Sequence, residues 1–103
     1  MALVKQVYLL TTDFPASEGY GLTAQMRRSA VSIPSNLAEG AARSGAKEFA
    51  QFLNVAKGSL SELETQILIA KDLCYTRDVE GVLNQAEKVS RLLAGLHKKV
   101  LAG

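Results

Sequence analysis

The sequence has little of what would build a disulfide framework or a membrane span. Among its 103 residues it has one cysteine, Cys74, no tryptophan and only 6% aromatic residues. A lone cysteine excludes an intrachain disulfide and indicates a reducing compartment. No apolar run approaches the roughly 18 residues of a membrane-spanning helix, and the first residues lack the pattern of a signal peptide. We therefore expect a cytoplasmic protein with no role in a membrane.

Motifs that carry chemistry are equally scarce. The sequence has no metal-ligand spacing, phosphate-binding loop or glycine fingerprint. His97 is the only histidine, and Cys74, its formal partner for nucleophilic catalysis, fits an apolar helix seam. Glu62 and Glu64 are two residues apart, so they point in different directions on a helix. We predict that the chain is not an enzyme and uses no metal, cofactor or small-molecule substrate.

What the sequence does contain is a globular, helix-forming composition. Hydrophobic residues make up 48% and charged residues 21%, a balance typical of a folded domain. The apolar residues are mostly Leu, Val and Ala, which suit helix packing. The net charge of +2 does not by itself indicate a nucleic-acid partner. The length favours a single domain over residues 1–103.

Apolar residues at helical spacing predict a first helix that ends near Thr12 and a second from Leu22 or Thr23 to about Ser44. Proline and glycine residues between positions 13 and 21 break the chain between them. The apolar positions of these two helices are Leu3, Val4, Val7, Tyr8, Met26, Ala30, Ile33 and Leu37.

Pro34 lies inside the second helical pattern. An interior proline removes one backbone hydrogen bond and costs about 3 kcal/mol. The segment is therefore either two short helices or one kinked helix. The apolar stripe continues across Pro34, which favours the kink, with Ser32, Ser35 and Asn36 able to supply local hydrogen bonds.

The third helix gives the clearest pattern, and Ser44 is a reasonable N-cap for it. Its apolar residues alternate spacings of four and three, the heptad repeat of near-parallel helix packing. A fourth helix follows the same rule after a turn in which Thr76 or Asp78 can cap it. The two seams are Phe49, Leu53, Ala56, Leu60, Leu63, Ile67, Ala70 and Cys74, then Val79, Val82, Ala86, Val89, Leu93, Leu96 and Val100. We predict an all-α fold, an up-down antiparallel four-helix bundle.

A polar stripe runs along the second helix, roughly opposite its apolar side. Its members recur at spacings of three and four: Arg28, Ser32, Asn36, Glu39 and Arg43, widened by Arg27. Such a stripe can be an ordinary solvated face. However, these residue types make directional hydrogen bonds, which also suits a subunit interface or a nucleic-acid backbone.

The third helix carries a second stripe beside its seam, from Glu48 through Val55, Ser59 and Glu62 to Gln66. Gly58 and Ser59 are small and could let another helix approach closely. Glu62 or Glu64 could pair with Arg27 or Arg28 of a neighbouring helix, or the arginines could meet phosphates. The pairing is favoured because acidic partners are available nearby and the net charge is low.

Three motifs together resemble a known family. They are GLTAQMRRSAVSIPSNLAEGAAR at residues 21–43, KEF at 47–49 and GSLSELETQ at 58–66. The chain resembles, from about Val4 to Tyr75, the four-helix-bundle proteins encoded in intervening sequences of bacterial large-subunit ribosomal RNA genes. That family is in turn similar to the accessory variability protein of diversity-generating retroelements.

The resemblance implies up-down four-helix bundles that assemble as homopentamers. The retroelement relative binds nucleic acid and a reverse transcriptase through a basic surface. The family also implies a longer, aromatic-rich first helix, so we expect the first helix here to pack less completely. By motif position, the second-helix signature is Arg27, Arg28, Ser32, Pro34, Asn36, Glu39, Gly40 and Arg43. The third-helix signature is Lys47, Gly58, Ser59, Glu62, Glu64 and Gln66.

Two hypotheses for the function follow. The first is a non-enzymatic homo-oligomer, a pentamer by resemblance, that binds RNA or a nucleic-acid enzyme through the second-helix arginines and Lys47. The second is a structural protein-interaction module in which the same stripe forms subunit contacts, with helix contacts at Gly58, Ser59, Glu62, Glu64 and Gln66.

Overall fold

Four α-helices account for most of the chain. The computed structural model describes residues 1–102, and these contain no β-strand. The helices are α1 (Ala2–Thr11), α2 (Leu22–Ala41), α3 (Ala46–Asp72) and α4 (Glu80–Ala102). A short 3-10 helix, Ala16–Glu18, lies between α1 and α2. The all-α prediction is confirmed.

The core is built from the apolar stripes of the four helices. Burying one large aliphatic side chain stabilises a fold by about 1.5–3 kcal/mol, so these positions dominate the stability. The largest fully buried side chains are Leu3, Met26, Ile33, Leu53, Leu63, Ile67, Leu93 and Val7. All eight were predicted as apolar stripe positions.

Each helix has defined neighbours. α1 packs against α2 and α4, and α3 packs against α2 and α4. Along the α2–α3 contact, Gly40 faces Phe52, whereas Ser32, earlier in α2, meets Ser59, later in α3. These two helices therefore run in opposite directions.

Pro34 lies within α2, which is continuous on both sides of it. The alternative of two short helices is therefore wrong. Asn36 donates a hydrogen bond from Nδ2 to the carbonyl oxygen of Ser32 (2.7 Å) and another to Ser32 Oγ (2.9 Å). These bonds confirm that polar side chains supply local hydrogen bonds around the proline.

The caps of the later helices differ from the prediction in one case. The residue at the N-cap of α3 is Gly45, and no side chain caps this helix, so the assignment of Ser44 is wrong. Before α4, Asp78 Oδ1 accepts a hydrogen bond from the backbone N–H of Glu80 at 3.1 Å. Of the two proposed caps, Asp78 is thus the one used.

The end of α3 corrects the prediction for Cys74. The helix stops at Asp72, and Cys74 follows it in the left-handed conformation with φ of 63°. The N–H of Cys74 donates to the carbonyl of Lys71, and that of Tyr75 to the carbonyl of Ala70, both at 3.0 Å. This is the Schellman ending of a helix. Cys74 is exposed there and does not belong to the core seam.

Replacing Cys74 by glycine should stabilise the protein. A side chain in the left-handed region costs about 1–2 kcal/mol, and glycine avoids that cost at some entropic expense in the unfolded state. We expect Cys74→Gly to raise the free energy of unfolding by about 0.5–1 kcal/mol, measured by urea denaturation under reducing conditions. Cys74→Ser keeps a side chain of similar size and should leave it unchanged; equal effects of both substitutions would contradict this account.

The two loops at one end of the molecule are joined by a hydrogen bond. Tyr75 Oη donates to Glu18 Oε2 at 2.8 Å, and the Phe14 and Tyr75 rings lie 5.5 Å apart. The other carboxylate oxygen of Glu18 accepts a bond from the N–H of Leu22, at the start of α2 (3.2 Å). One carboxylate therefore caps α2 and anchors the turn after α3.

This carboxylate should make stability depend on pH. The hydrogen bond from Tyr75, and then that from Leu22, lower the pKa of Glu18 below its ordinary value of 4.5. The same contact with Glu18 raises the pKa of Tyr75 above 10.0. A lowered carboxyl pKa stabilises the fold above the unfolded-state value and is lost as the pH falls through the folded-state value. A raised phenol pKa stabilises it below about pH 10 and is lost as the pH rises further.

We therefore expect Glu18→Gln to lower the melting temperature at neutral pH and to approach wild type as the pH falls below about 4. Thermal unfolding followed by circular dichroism across this range measures the difference. Glu87→Gln, at an exposed position of α4, is the matched control. A gap between Glu18→Gln and wild type that stays constant with pH would count against the role of the carboxylate.

Candidate functional site

The polar stripe of α2 is divided between several environments. Ser32 and Asn36 are half-buried, and Ser32 Oγ lies 2.8 Å from Ser59 Oγ of α3. The Ser32–Ser59 bond joins the two helices, and Asn36 completes the local network through its bond to Ser32 Oγ. This part of the stripe is therefore a helix–helix contact within the chain.

Arg27 is occupied by contacts with α1. Its Nε donates to Thr11 Oγ1 at 2.9 Å, and its guanidinium carbon lies 4.6 Å from the centre of the Tyr8 ring. Thr11 is buried, and its hydroxyl donates in turn to the carbonyl of Val7 at 2.8 Å. Tyr8, predicted as part of the apolar stripe, is exposed and packs on this arginine. Arg27 thus holds α1 against α2.

Arg43, just after the end of α2, also has contacts, one with α2 and one with α3. Its Nη2 lies 2.6 Å from Glu39 Oε1, and its guanidinium carbon is 5.2 Å from the centre of the Phe52 ring. Both ion-pair partners are well exposed, so the pair contributes at most about 1 kcal/mol. Across residues 1–102 this is the one ion pair.

Within residues 1–102, the expected pairing of Glu62 or Glu64 with Arg27 or Arg28 is not formed. Arg27 turns toward α1 instead, and Glu62 accepts a hydrogen bond from Gln66 Nε2, one turn further along α3, at 3.2 Å. Gln66 itself is only 5% exposed, and its Oε1 is buried with no hydrogen-bond partner in the described part of the chain.

A polar cleft of about 190 Å³ opens between α2 and α3. Every side chain that lines it is polar: Gln25, Arg28, Ser29, Ser32, Ser59 and Glu62. Arg28 and Glu62 are exposed and bring opposite charges to one cleft without forming an ion pair. The cleft therefore offers hydroxyl groups and one charge of each sign to a partner surface.

The remaining predicted positions lie apart from the cleft. Lys47 is exposed at the start of α3, and Glu64 is half-buried further along it. Gly58 is exposed, and a Cβ placed on it would meet nothing within 4 Å, so no helix of the chain approaches it closely. The close approach occurs at Gly40, where a Cβ would lie 2.8 Å from Phe52 Cβ. The small residues Ala38, Gly40, Ala41 and Ala42 were the signal that could have located it.

Two arrangements that carry chemistry, a metal-binding group and a Cys–His pair, are not formed by the residues that the structure describes. No group of three or more His, Cys, Asp and Glu side chains could hold a metal ion there. Cys74 lies before α4, whereas His97 is 17 positions after Glu80, about 25 Å along the helix. These two side chains are too far apart to form a nucleophile–base pair. None of the four helices is long and apolar enough to cross a membrane.

Comparison with known families decides the relationship. The model of the family described as 23S rRNA-intervening sequence protein matches residues 1–95. The chain belongs to this family. The match confirms the resemblance of the α2 and α3 motifs and extends through the first two-thirds of α4. No curated protein matches the chain.

Proposed function

We propose that this member of the intervening-sequence protein family is a cytoplasmic, non-enzymatic homo-oligomer, a pentamer by resemblance. Its four helices would form an up-down antiparallel bundle. The opposite directions of α2 and α3 support that arrangement, as does the pairing of each helix with two neighbours. Copies of the chain would contact one another through the face formed by α2 and α3.

The observation that carries this proposal is the unpaired Arg28 and Glu62 in one polar cleft. In a five-membered ring each contact joins different surfaces of two copies, so Arg28 of one copy can pair with Glu62 of the next. Exposed apolar side chains flank them: Val31 lies one turn after Arg28 and is 39% exposed, and Val55 lies one turn before Ser59 and is 52% exposed. Subunit interfaces typically combine an apolar core with a polar rim, and this face offers both kinds of side chain.

Exchanging the two charges tests the contact. Arg28→Glu and Glu62→Arg should each place like charges together and lower the mass measured by size-exclusion chromatography with light scattering. The double exchange should restore the wild-type mass, about 55 kDa for five copies of 11.0 kDa. Circular dichroism checks that each variant remains helical.

Lys57→Glu, at an exposed position of α3 outside the cleft, is the control and should keep the wild-type mass. If both single variants also keep that mass, the α2–α3 face is not the subunit contact. A monomeric wild type would contradict the homo-oligomer itself.

RNA binding by α2 is the second candidate function. The specific observation in its favour is that Arg28 is exposed and forms no ion pair within residues 1–102, whereas Arg27 is half-buried against α1 and Arg43 is paired with Glu39. We expect Arg28→Ala to weaken RNA binding in fluorescence anisotropy and to reduce the salt slope by about 0.7–0.9, the value of one lost phosphate contact. Arg43→Ala is the matched control, and identical salt slopes for the two variants would count against this candidate.

A further inference from the structure

The positive charge of the chain is concentrated near its end. Residues 1–87 carry eight Lys or Arg and ten Asp or Glu side chains, a net charge of −2. Residues 88–103 carry four basic side chains and no acidic one, a net charge of +4. The excess of positive charge in the whole protein therefore arises from the second half of α4, which lies apart from the α2 stripe.

Three of these four basic residues share one line along the helix. The line has heptad spacing, and its positions in chain order are Asn84, Lys88, Arg91, Gly95 and Lys98. All five positions are exposed, because the buried residues of α4 occupy the opposite side. A Cβ on Gly95 would meet nothing within 4 Å, so the line is also open to the approach of a partner. Lys99 lies beside its end.

These charges have no partner within the described chain. The one ion pair of residues 1–102 joins Arg43 to Glu39. The dipole of α4 can account for cations in the last turn, where Lys99 lies. It cannot account for Lys88 and Arg91, which lie more than two turns earlier, because the effect is confined to the last turn.

We propose that this basic face of α4, defined as Lys88, Arg91, Lys98 and Lys99, binds the phosphate backbone of a single-stranded nucleic acid. From Lys88 to Lys98 it extends about 15 Å. The backbone of a nucleic acid carries a negative charge on each phosphate, and the face presents four cations to it. It has no aromatic side chain for stacking on bases, so the contact is with the backbone and is independent of sequence.

A membrane surface fits this face less well than a nucleic acid does. Interfacial helices bury a wide apolar face in the lipid, but the apolar side of α4 is already committed to the core through Val82, Ala86, Val89 and Leu93. The backbone of a nucleic acid needs no apolar face, because its row of phosphates complements the charges of the basic face. This inference does not depend on the subunit contact proposed above.

The test compares two triple variants of the full chain that remove the same charge. One is Lys88→Gln, Arg91→Gln and Lys98→Gln; the control is Lys5→Gln, Lys57→Gln and Lys71→Gln, at exposed positions of α1 and α3. Binding of a fluorescein-labelled oligouridylate of about 20 nucleotides is measured by anisotropy across a salt series. Loss of three phosphate contacts should lower the affinity about 100-fold at about 50 mM salt and reduce the salt slope by about 2. The control should stay within about threefold of wild type.

Three results would overturn the proposal: equal loss of affinity in both triple variants, no binding by the wild type at low salt, or binding to vesicles containing phosphatidylserine in place of the oligonucleotide. Light scattering on the same samples separates this test from that of the subunit contact. Weakened binding at unchanged mass supports the basic face. A loss of assembly together with binding would place these residues in the subunit contact and overturn their assignment to nucleic acid.

Discussion

Replacing Leu63 by alanine should lower the free energy of unfolding by about 3–4 kcal/mol. Leu63 is fully buried in the middle of α3, the helix that packs against both α2 and α4. Truncation removes apolar contacts and leaves a cavity that rigid neighbouring helices fill only in part. A domain of this size is stable by about 5–15 kcal/mol, so the loss is a large share of the total. Urea denaturation followed by circular dichroism measures it.

The same substitution at Leu68 is the matched control. Leu68 lies one turn and a little further along α3 and is 50% exposed. Leu68→Ala removes the same atoms from a largely solvated position and should cost less than about 0.5 kcal/mol. Both variants are compared at one protein concentration, since association changes apparent stability. Similar losses at the two positions would mean that Leu68 is buried in solution and would contradict the face assigned to it.

Heptad spacing was a sound guide to these faces because periodicity is a property of one helix alone. A stripe at spacings of three and four is always on one side, so Leu53, Leu63 and Ile67 could be placed in the core before any partner was known. The limit of this reasoning is the helix end. Cys74 continues the spacing but lies beyond Asp72, where the chain has already turned through the Schellman ending. The spacing of apolar residues does not show where the helix ends.

The candidate site was harder to predict because it depends on which side of each helix faces which neighbouring helix. The α2 stripe was identified correctly as polar, yet Ser32 faces α3, Asn36 bonds to Ser32 and Arg27 faces α1. Sequence spacing gives the angle between two residues of one helix, and it does not give the direction of the neighbouring helix. For that reason the expected pairing of these arginines with Glu62 or Glu64 is not formed within the chain, although the cleft does bring Arg28 and Glu62 together.

Adding a single methyl group at Gly40 should destabilise the α2–α3 contact by about 1–3 kcal/mol. The added Cβ would lie 2.8 Å from Phe52 Cβ and 3.0 Å from Phe49 Cδ1. Phe49 Cδ1 can swing away by rotation of its side chain, but Phe52 Cβ is fixed to the backbone of α3. Relief of the clash therefore requires the two helices to separate where Gly40 now lets them approach. Gly40→Ala, followed by urea denaturation, measures the cost.

Gly58→Ala is the matched control, and its effect should have the opposite sign. Gly58 also lies inside a helix, but its Cβ position is open to solvent. Alanine there should stabilise the protein by about 0.5–1 kcal/mol, because glycine is the weaker helix former. The two substitutions add the same atom to the same type of secondary structure, so a difference in sign isolates the close approach at Gly40. Stabilisation by both would show that α2 and α3 have room to move apart, and the contact at Gly40 would then not determine their spacing.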